Sequence, residues 1–366
     1  MSNNSTKRIC LAIPSLKAGG MERVMSEVAN DFANRKNVEV HLLLFGKERE
    51  IFYDIEPNII VHRPQFVFNN KVRTYNTLKT IFFIRQEVKK IKPDSVLSFG
   101  DYWNSLVLLS CLGLKTKIYV SDRGKPCIDS SKLQHILRTY LYPKASGVIA
   151  QTKAAKDFYS NVYKQDNMTI IGNPFKENQT HNVTREKIIL SVGRLQNTKH
   201  FDRLIHIFSE LYKEHEEWKL IIVGGDTMLQ NNSQILKKLI DEMGLSSNVL
   251  LAGNQKDVWS FYKRSSIFAL TSSSEGFPNV IGEAMMAGIP VISYNCVAGP
   301  SDMIEDGKNG FLVPVFDDEM MKKRLLFLME NEEERIEMGN YAKESIKKFS
   351  SPIICQMFFD FITKQA

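Results

Sequence analysis

Nothing in the 366 residues approaches the ~18–20 consecutive apolar positions that a membrane-spanning helix needs. Cysteine is scarce as well. Cys10, Cys111, Cys127, Cys296 and Cys355 are odd in number, scattered and nowhere arranged as C-x-x-C. That excludes a disulfide scaffold, argues against a zinc site and fits a reducing compartment, with the thiols serving as small buried hydrophobes. Low-complexity tracts and short-period repeats are lacking, and no glycines stand in the G-x-G-x-x-G spacing of a dinucleotide turn. The first residues, MSNNSTKRIC, are polar and carry no leader pattern. The expectation is a cytoplasmic protein, either free or peripheral on the cytosolic face of a membrane.

What is present is ordinary globular material, 43% hydrophobic and 24% charged. A single core stops growing at roughly 250–300 residues, so this length predicts two domains. The net charge of +7 suits an anionic partner: a nucleotide phosphate, a lipid surface or nucleic acid.

Apolar runs of strand length alternate with stretches of helical periodicity, the pattern of a buried parallel sheet. Strands are predicted at 9–14, 38–45, 59–62, 95–99, 117–121, 147–151 and 168–171, with helices at 21–35 and 73–91 among those between them. The polar stretch 173–186, rich in Asn and Glu, interrupts the alternation and reads as a linker. Strands resume at 187–192, 219–223, 249–251, 267–271, 291–294 and 310–313, and two polar helices follow from 317 to about 348. The predicted domains are therefore 1–172 and 187–350. Met357, Phe358, Phe359, Phe361 and Ile362 make the tail helix, 351–366, an apolar-faced element that needs a surface to cover, and the first domain is the expected one. In folds of this class ligands bind beyond the carboxyl ends of the strands.

Those ends carry the chemistry. After the strand at 267–271 comes SSSEGFPNVIGEAMMAGIPVI, in which Glu275 and Glu283 are eight apart around a helix start at Pro278. Both carboxylates can face one ligand lying over that helix, one taking sugar hydroxyls and the other ribose hydroxyls. The first-turn amides of Asn279, Val280 and Ile281 suit a phosphate, and Gly276 permits close backbone approach. The bland reading, an acidic first turn complementing the helix dipole, accounts for Glu275 but not for the EGFP turn. After the strand at 187–192, Gly193 and Arg194 follow at once and Lys199 five residues later. Two cations beside a permissive glycine form a diphosphate clamp that can neutralise a leaving nucleoside diphosphate. Gly224 at the end of the next strand is a weaker phosphate-turn signal, and Gly253 with Asn254 can edge a nucleobase or be a plain turn.

Together GRLQNTK, EGFPNVIGE, GIPVI and GPSDMIEDGKNGFLV resemble the second domain of retaining GT-B glycosyltransferases of the family 4 type. The resemblance covers nearly the whole chain and is strongest over 187–314. It implies a GT-B fold, two Rossmann-like α/β domains facing a cleft, with a nucleoside-diphosphate sugar held by the second. By position Arg194 and Lys199 would hold the diphosphate, Glu275 the transferred sugar and Glu283 the ribose. The EGFP segment, Phe277 included, would form the donor loop, and Gly20 in GGMERV would approach the diphosphate. The family transfers with retention and needs no metal or cofactor, in keeping with the lack of a D-x-D motif here. The base is expected to be uracil, and the sugar a hexose or N-acetylhexosamine. Three positions depart from the family pattern: His200 stands where Gly is usual, Pro278 where a small residue is common, and VSDRG where many members have a cleft His.

In the first domain Asp101, Asp122 and Arg123 follow strands, and Glu22 lies in the glycine loop. Asp122 or Asp101 would orient an acceptor hydroxyl by accepting its hydrogen bond, and Arg123 would meet an acceptor phosphate. Each acid has a competing reading as a helix cap. Residues 70–92 form a basic amphipathic helix, with Lys71, Arg73, Lys79, Arg85, Lys89, Lys90 and Lys92 against a single Glu. Such a helix can lie on an anionic membrane, at ~1 kcal/mol per basic residue near the surface, or be a crossover helix with a solvated basic face. A membrane site would imply a lipid-linked or glycan acceptor of surface polysaccharide or oligosaccharide synthesis. No aromatic platform or nucleic-acid motif accompanies the basic residues, so nucleic acid is not an expected partner. Two alternatives remain at this level: a nucleotide-sugar epimerase-like enzyme on the same fold, and a non-catalytic nucleotide-sugar-binding protein.

Overall fold

The computed structural model describes residues 6–47, 49–126, 131–176, 184–227 and 230–364; Cys127 and the middle of the expected linker lie outside them. The chain divides into two compact units, residues 1–174 with 351–366, and residues 175–350.

The first unit alternates β1 (Lys7–Ile13), α1 (Gly20–Ala33), β2 (Val38–Leu44), β3 (Ile60–His62), α2 (Arg73–Ile91), β4 (Ser95–Phe99), α3 (Asp101–Cys111), β5 (Lys117–Ser121), α4 (Lys132–Leu141), β6 (Gly147–Ala150), α5 (Lys153–Val162) and β7 (Met168–Ile170). Its sheet runs β3-β2-β1-β4-β5-β6-β7, and every pairing is parallel. The second unit alternates β8 (Ile188–Val192), α6 (Phe201–Tyr212), β9 (Lys219–Val223), α7 (Asn232–Glu242), β10 (Val249–Gly253), α8 (Trp259–Arg264), β11 (Ile267–Leu270), α9 (Asn279–Met286), β12 (Val291–Tyr294), α10 (Pro300–Met303), β13 (Gly310–Val313), α11 (Asp318–Glu330) and α12 (Glu332–Ser345). Its parallel sheet runs β10-β9-β8-β11-β12-β13. In both units the order reverses beside the first strand, which creates a switch point at the carboxyl end of the sheet.

The central strands are buried on both faces because helices cover both, so they read as unbroken apolar runs and not as alternation. β8, β4 and β12 are buried at every position. Among the helices the 3.6-residue period is plain in α6, where Phe201, Leu204, Ile205, Phe208 and Leu211 face the core. Among the described residues no helix is long and apolar enough to cross a membrane.

The tail helix α13 (Ser351–Thr363) returns to the first unit. Phe358 lies 5.8 Å from Phe99, Phe359 meets Phe32 edge-on at 5.3 Å and Phe361 meets Tyr119 at 5.4 Å, between ring centroids. Gly147 makes room for it, since a Cβ there would stand 2.7 Å from the Phe361 ring. Met357 is the exception among the expected apolar contacts, at 39% exposed.

The break between the units is less of a free linker than its composition suggests. Phe175 is 3% exposed and stacks on Phe277 with 6.2 Å between centroids. At the other end of the segment, Arg185 donates to the carbonyls of Ser265 (2.7 Å) and Gly288 (3.2 Å). Both residues belong to the second unit.

Candidate functional site

At the carboxyl end of the second sheet the backbone crosses itself. Gly224 has φ +148°, and a Cβ there would stand 1.8 Å from the carbonyl oxygen of Gly193. Only glycine lets the turns after β8 and β9 come so close. The turns are tied by Gly193 N–H to the Val223 carbonyl (2.9 Å), Leu195 N–H to Gly225 (2.9 Å) and Gly224 N–H to Gly253 (2.9 Å). The exposed Asn254 lays its amide over Gly225. Gly193, Gly224, Gly253 and Asn254 therefore form one continuous rim.

Lys199 is held over this rim. Its Nζ donates to Glu275 Oε1 at 2.5 Å, and its aliphatic stem packs against Gly193, where a Cβ would be 3.3 Å from Cε. The two side chains are 12% and 13% exposed. The loops that carry them are laced together: Thr271 Oγ1 donates to the Lys199 carbonyl (2.8 Å), and Ser273 N–H donates to the Thr198 carbonyl (2.9 Å). His200 occupies the left-handed region at φ 49°, which explains the glycine usual there in the resembling family. Its Nε2 is 2.8 Å from Ser273 Oγ, and its ring meets Phe316 edge-on at 4.9 Å. Cys296 lies beside Glu275; burial first, and that carboxylate second, push its thiol upward. Arg194 is exposed and has no side-chain partner among the described residues.

Beyond Glu275 the chain turns through Gly276, whose carbonyl lies beside Gly299. Two expected donor contacts are structural instead. Phe277 is 8% exposed and packs its ring between Phe175 and Phe349. The Ile281 side chain is fully buried and its N–H donates to the Pro278 carbonyl (3.0 Å), so this amide is already spent. Pro278 caps α9 and does not begin it, which moves the first turn to Asn279 and Val280. One turn further on, Glu283 Oε2 accepts from the Tyr262 hydroxyl at 3.0 Å. Tyr262 lies 21 residues upstream, and nothing local in the sequence marks it.

In the first unit the glycine loop is clamped by Tyr53, whose hydroxyl accepts from Gly19 N–H (2.9 Å) and donates to the Gly19 carbonyl (2.8 Å). Gly20 begins α1. Glu22 folds its carboxylate back over Gly19, and burial raises its pKa. The sequence expectation for Asp122 needs correcting. It is 1% exposed, and its oxygens accept from Arg138 Nη2, the Tyr142 hydroxyl (2.6 Å) and Asn104 Nδ2 (2.8 Å). With three hydrogen bonds already accepted and solvent excluded, Asp122 neutralises buried Arg138 and is not open to an acceptor hydroxyl.

Asp101 is the better placed acid. It opens α3, and its Oδ1 accepts from Arg123 N–H at 3.0 Å. Burial, aided by the nearby Asp122 carboxylate, pushes it up to about 7, against the pull of Arg138. The Arg123 guanidinium stands 4.5 Å from the Phe99 ring centroid and 5.1 Å from that of Phe358, and Nη1 donates to the Ile171 carbonyl at 3.3 Å. Its Nε and Nη2 are shielded and have no partner among the described residues. Burial lowers its pKa to about 9, while Asp101 and Asp122 oppose the shift, so it remains a cation at neutral pH.

Comparison with known proteins bears on the family and the fold. Residues 173–345 match the family model of glycosyl transferases group 1, and residues 18–178 match that of glycosyltransferase family 4. The chain is 26% identical over 346 residues to a Campylobacter jejuni GalNAc-alpha-(1->4)-GalNAc-alpha-(1->3)-diNAcBac-PP-undecaprenol alpha-1,4-N-acetyl-D-galactosaminyltransferase, covering 93% of this chain and 94% of that one. It is 26% identical to the amylovoran biosynthesis glycosyltransferase AmsD of Erwinia amylovora, over 94% of this chain and 96% of that one. Among solved structures, HepE from Anabaena in complex with UDP superposes with a TM-score of 0.79 at 19% identity, over 97% and 98% of the two chains. The apo lipopolysaccharide outer core galactosyltransferase WaaB gives 0.78 at 22% identity, over 97% and 99%. With its two family models side by side along the sequence and a two-unit fold shared with these enzymes, the chain belongs to the family 4 type of GT-B glycosyltransferases.

Proposed function

We propose that this glycosyltransferase moves a hexose or N-acetylhexosamine, with retention, from a UDP-linked donor to a lipid-linked or glycan acceptor in surface polysaccharide or oligosaccharide synthesis. The observation that carries the reading is the convergence of Lys199, Glu275 and the Gly193–Gly224 crossing on one rim, with Glu283 a turn inside the adjacent helix. The undecaprenol-linked acceptor named for the Campylobacter relative and the UDP bound by HepE support the acceptor and the base.

In this reading Arg194 and Lys199 take the diphosphate, and Asn279 and Val280 add first-turn amides. The positive charge needed as the sugar–phosphate bond breaks then comes from side chains and not from a divalent ion. Glu275 holds the transferred sugar, Glu283 the ribose and Asn254 the edge of the base. The acceptor oxygen attacks C1 on the face that the diphosphate leaves, and the departing phosphate oxygen takes the acceptor's proton. Asp101, not Asp122, orients the acceptor hydroxyl, because a carboxylate with a pKa near the working pH suits that role. Arg123, still a cation at neutral pH, attracts acceptor charge through space.

The test is thermal stability of the purified protein against UDP, GDP, ADP and their sugars, with EDTA present. Ligand at 100 times its dissociation constant adds ~2.7 kcal/mol. A shift with the uridine series alone supports the donor and metal independence. A shift that vanishes in EDTA overturns metal independence, and a shift confined to guanosine or adenosine overturns the base.

A further inference from the structure

The first unit holds a cavity of about 200 Å³ that none of these roles uses. It sits at the carboxyl end of its sheet, where Phe45 follows β2 and Trp103 stands in the first turn of α3, their rings edge-on at 5.7 Å between centroids. Phe68 and Leu106 complete an apolar interior, and Lys47 and Arg73, both exposed, supply its two cations. Among the described residues no acidic side chain lines it.

The neutral polar side chains that line it are few for a sugar: Asn70, Thr77, Thr80 and Tyr102. The hydroxyls of Thr77 and Thr80 are spent on the carbonyls of Arg73 and Asn76, each at 2.9 Å. A buried pyranose, with several hydroxyls to pair, finds fewer partners there than it needs. A hydrocarbon chain loses nothing in such an interior, and a phosphate at the mouth finds two cations. Outward from Arg73, α2 exposes Tyr75, Leu78 and Phe82 along one helical line, at 58%, 61% and 61%. An apolar track thus continues from the cavity's cationic side over the surface of the unit.

We propose that this cavity seats the phosphate-bearing end of a polyprenyl phosphate or diphosphate, its first isoprene units against Phe45 and Trp103 and its phosphate on Lys47 and Arg73. The assignment rests on the reading of the chain as a transferase to a lipid-linked acceptor. It places recognition of the carrier lipid in the first unit.

The test uses the full chain and farnesyl phosphate as probe, with farnesol, inorganic phosphate and an acyl lysophosphatidate beside it, followed by calorimetry. Farnesyl phosphate is expected to bind saturably and more tightly than all three controls. Lys47→Ala with Arg73→Ala, both exposed and harmless to folding, should weaken it at least about tenfold, and Leu106→Trp should abolish it by filling the cavity. Equal binding of lysophosphatidate overturns the isoprenoid assignment. Absence of saturable binding, or affinity unchanged in both variants, overturns the cavity as the site. Uridine-nucleotide stabilisation of the same wild-type sample separates the two levels. If it is present while farnesyl phosphate fails, only the cavity assignment falls; if every nucleotide fails, the transferase reading falls and this one with it.

Discussion

Lys199 Nζ and Glu275 Oε1 are 2.5 Å apart in the second unit, although the proposed donor site asks them to hold different parts of one ligand. In this arrangement they satisfy each other, and donor binding must redistribute the contact toward phosphate and sugar. Lys199→Met leaves a mostly buried carboxylate without its cation, at a cost of up to roughly 3 kcal/mol, and removes charge from the leaving group, worth about 10²–10³ in kcat. Glu275→Gln keeps the shape and loses the charge. If the two residues act as a pair, the double variant will be more stable than Lys199→Met alone, because no charge is left uncompensated, and its kcat will fall by less than the product of the single losses. A double-mutant cycle on urea unfolding and kcat measures both; simple additivity in both would show two independent residues.

Asp122 supports a second expectation, of the opposite kind. Asp122→Asn leaves Arg138, 3% exposed, without its counter-charge, which should cost roughly 3–5 kcal/mol. Because the oxygens of Asp122 are committed to Arg138, Tyr142 and Asn104, kcat per folded molecule should stay near wild type. Urea unfolding combined with active-site titration separates the two quantities. A large fall in kcat with stability unchanged would return Asp122 to the acceptor site.

Asp122 also shows where sequence reasoning stops. The thirteen strands among the described residues were legible, because parallel strands covered on both faces announce themselves as short apolar runs, and their ends lie within two residues of expectation. The rim proposed for the donor is marked in the sequence for the same reason: Arg194, Lys199, Glu275 and Glu283 sit at fixed short distances from strand ends. What the sequence hides is the partner of each side chain. An aspartate after a strand looks the same whether it faces solvent, as an orienting group must, or meets an arginine 16 residues on, as Asp122 does. Tyr53 and Tyr262, which clamp Gly19 and Glu283, reach their targets from 34 and 21 residues away. Phe175, in a polar stretch read as linker, proves to be core because α9 presents Gly282 to its ring.

The pKa of Asp101 predicts a pH dependence with a definite sign. Its carboxyl rises from 3.8 to about 7 on folding, so between those values the folded chain keeps a proton that the unfolded chain has released. Unfolding free energy therefore loses this contribution as pH rises through the window and levels off above about 7. Asp101→Asn removes the component, and the stability difference between variant and wild type should grow with pH up to about 7 and then stay constant. If ionised Asp101 orients the acceptor, kcat/KM of the wild type also climbs through the same midpoint, and the climb is absent in Asp101→Asn. Urea titrations and initial rates from pH 5 to 8 check both; a difference flat in pH would mean that Asp101 ionises normally.

The basic helix divides more finely than its composition suggested, and the division makes membrane attachment testable. Ile84, Val88 and Ile91 of α2 face the core, whereas Tyr75, Leu78 and Phe82 are exposed. Arg85 is occupied, donating to the carbonyls of Ser110 and Leu112 at 3.0 and 2.8 Å. Lys71, Lys89 and Lys90 are exposed, and their attraction to an anionic surface is screened beyond about 10 Å at 0.1 M salt. Replacing these three by Ala should weaken co-sedimentation with phosphatidylglycerol vesicles at low salt, by up to ~1 kcal/mol each, and change little at high salt. Leu78→Ser with Phe82→Ser should weaken it at both, because apolar insertion is not screened. Vesicle binding that ignores both sets of substitutions would show that α2 is a crossover helix with a solvated face and that attachment, if any, lies elsewhere on the chain.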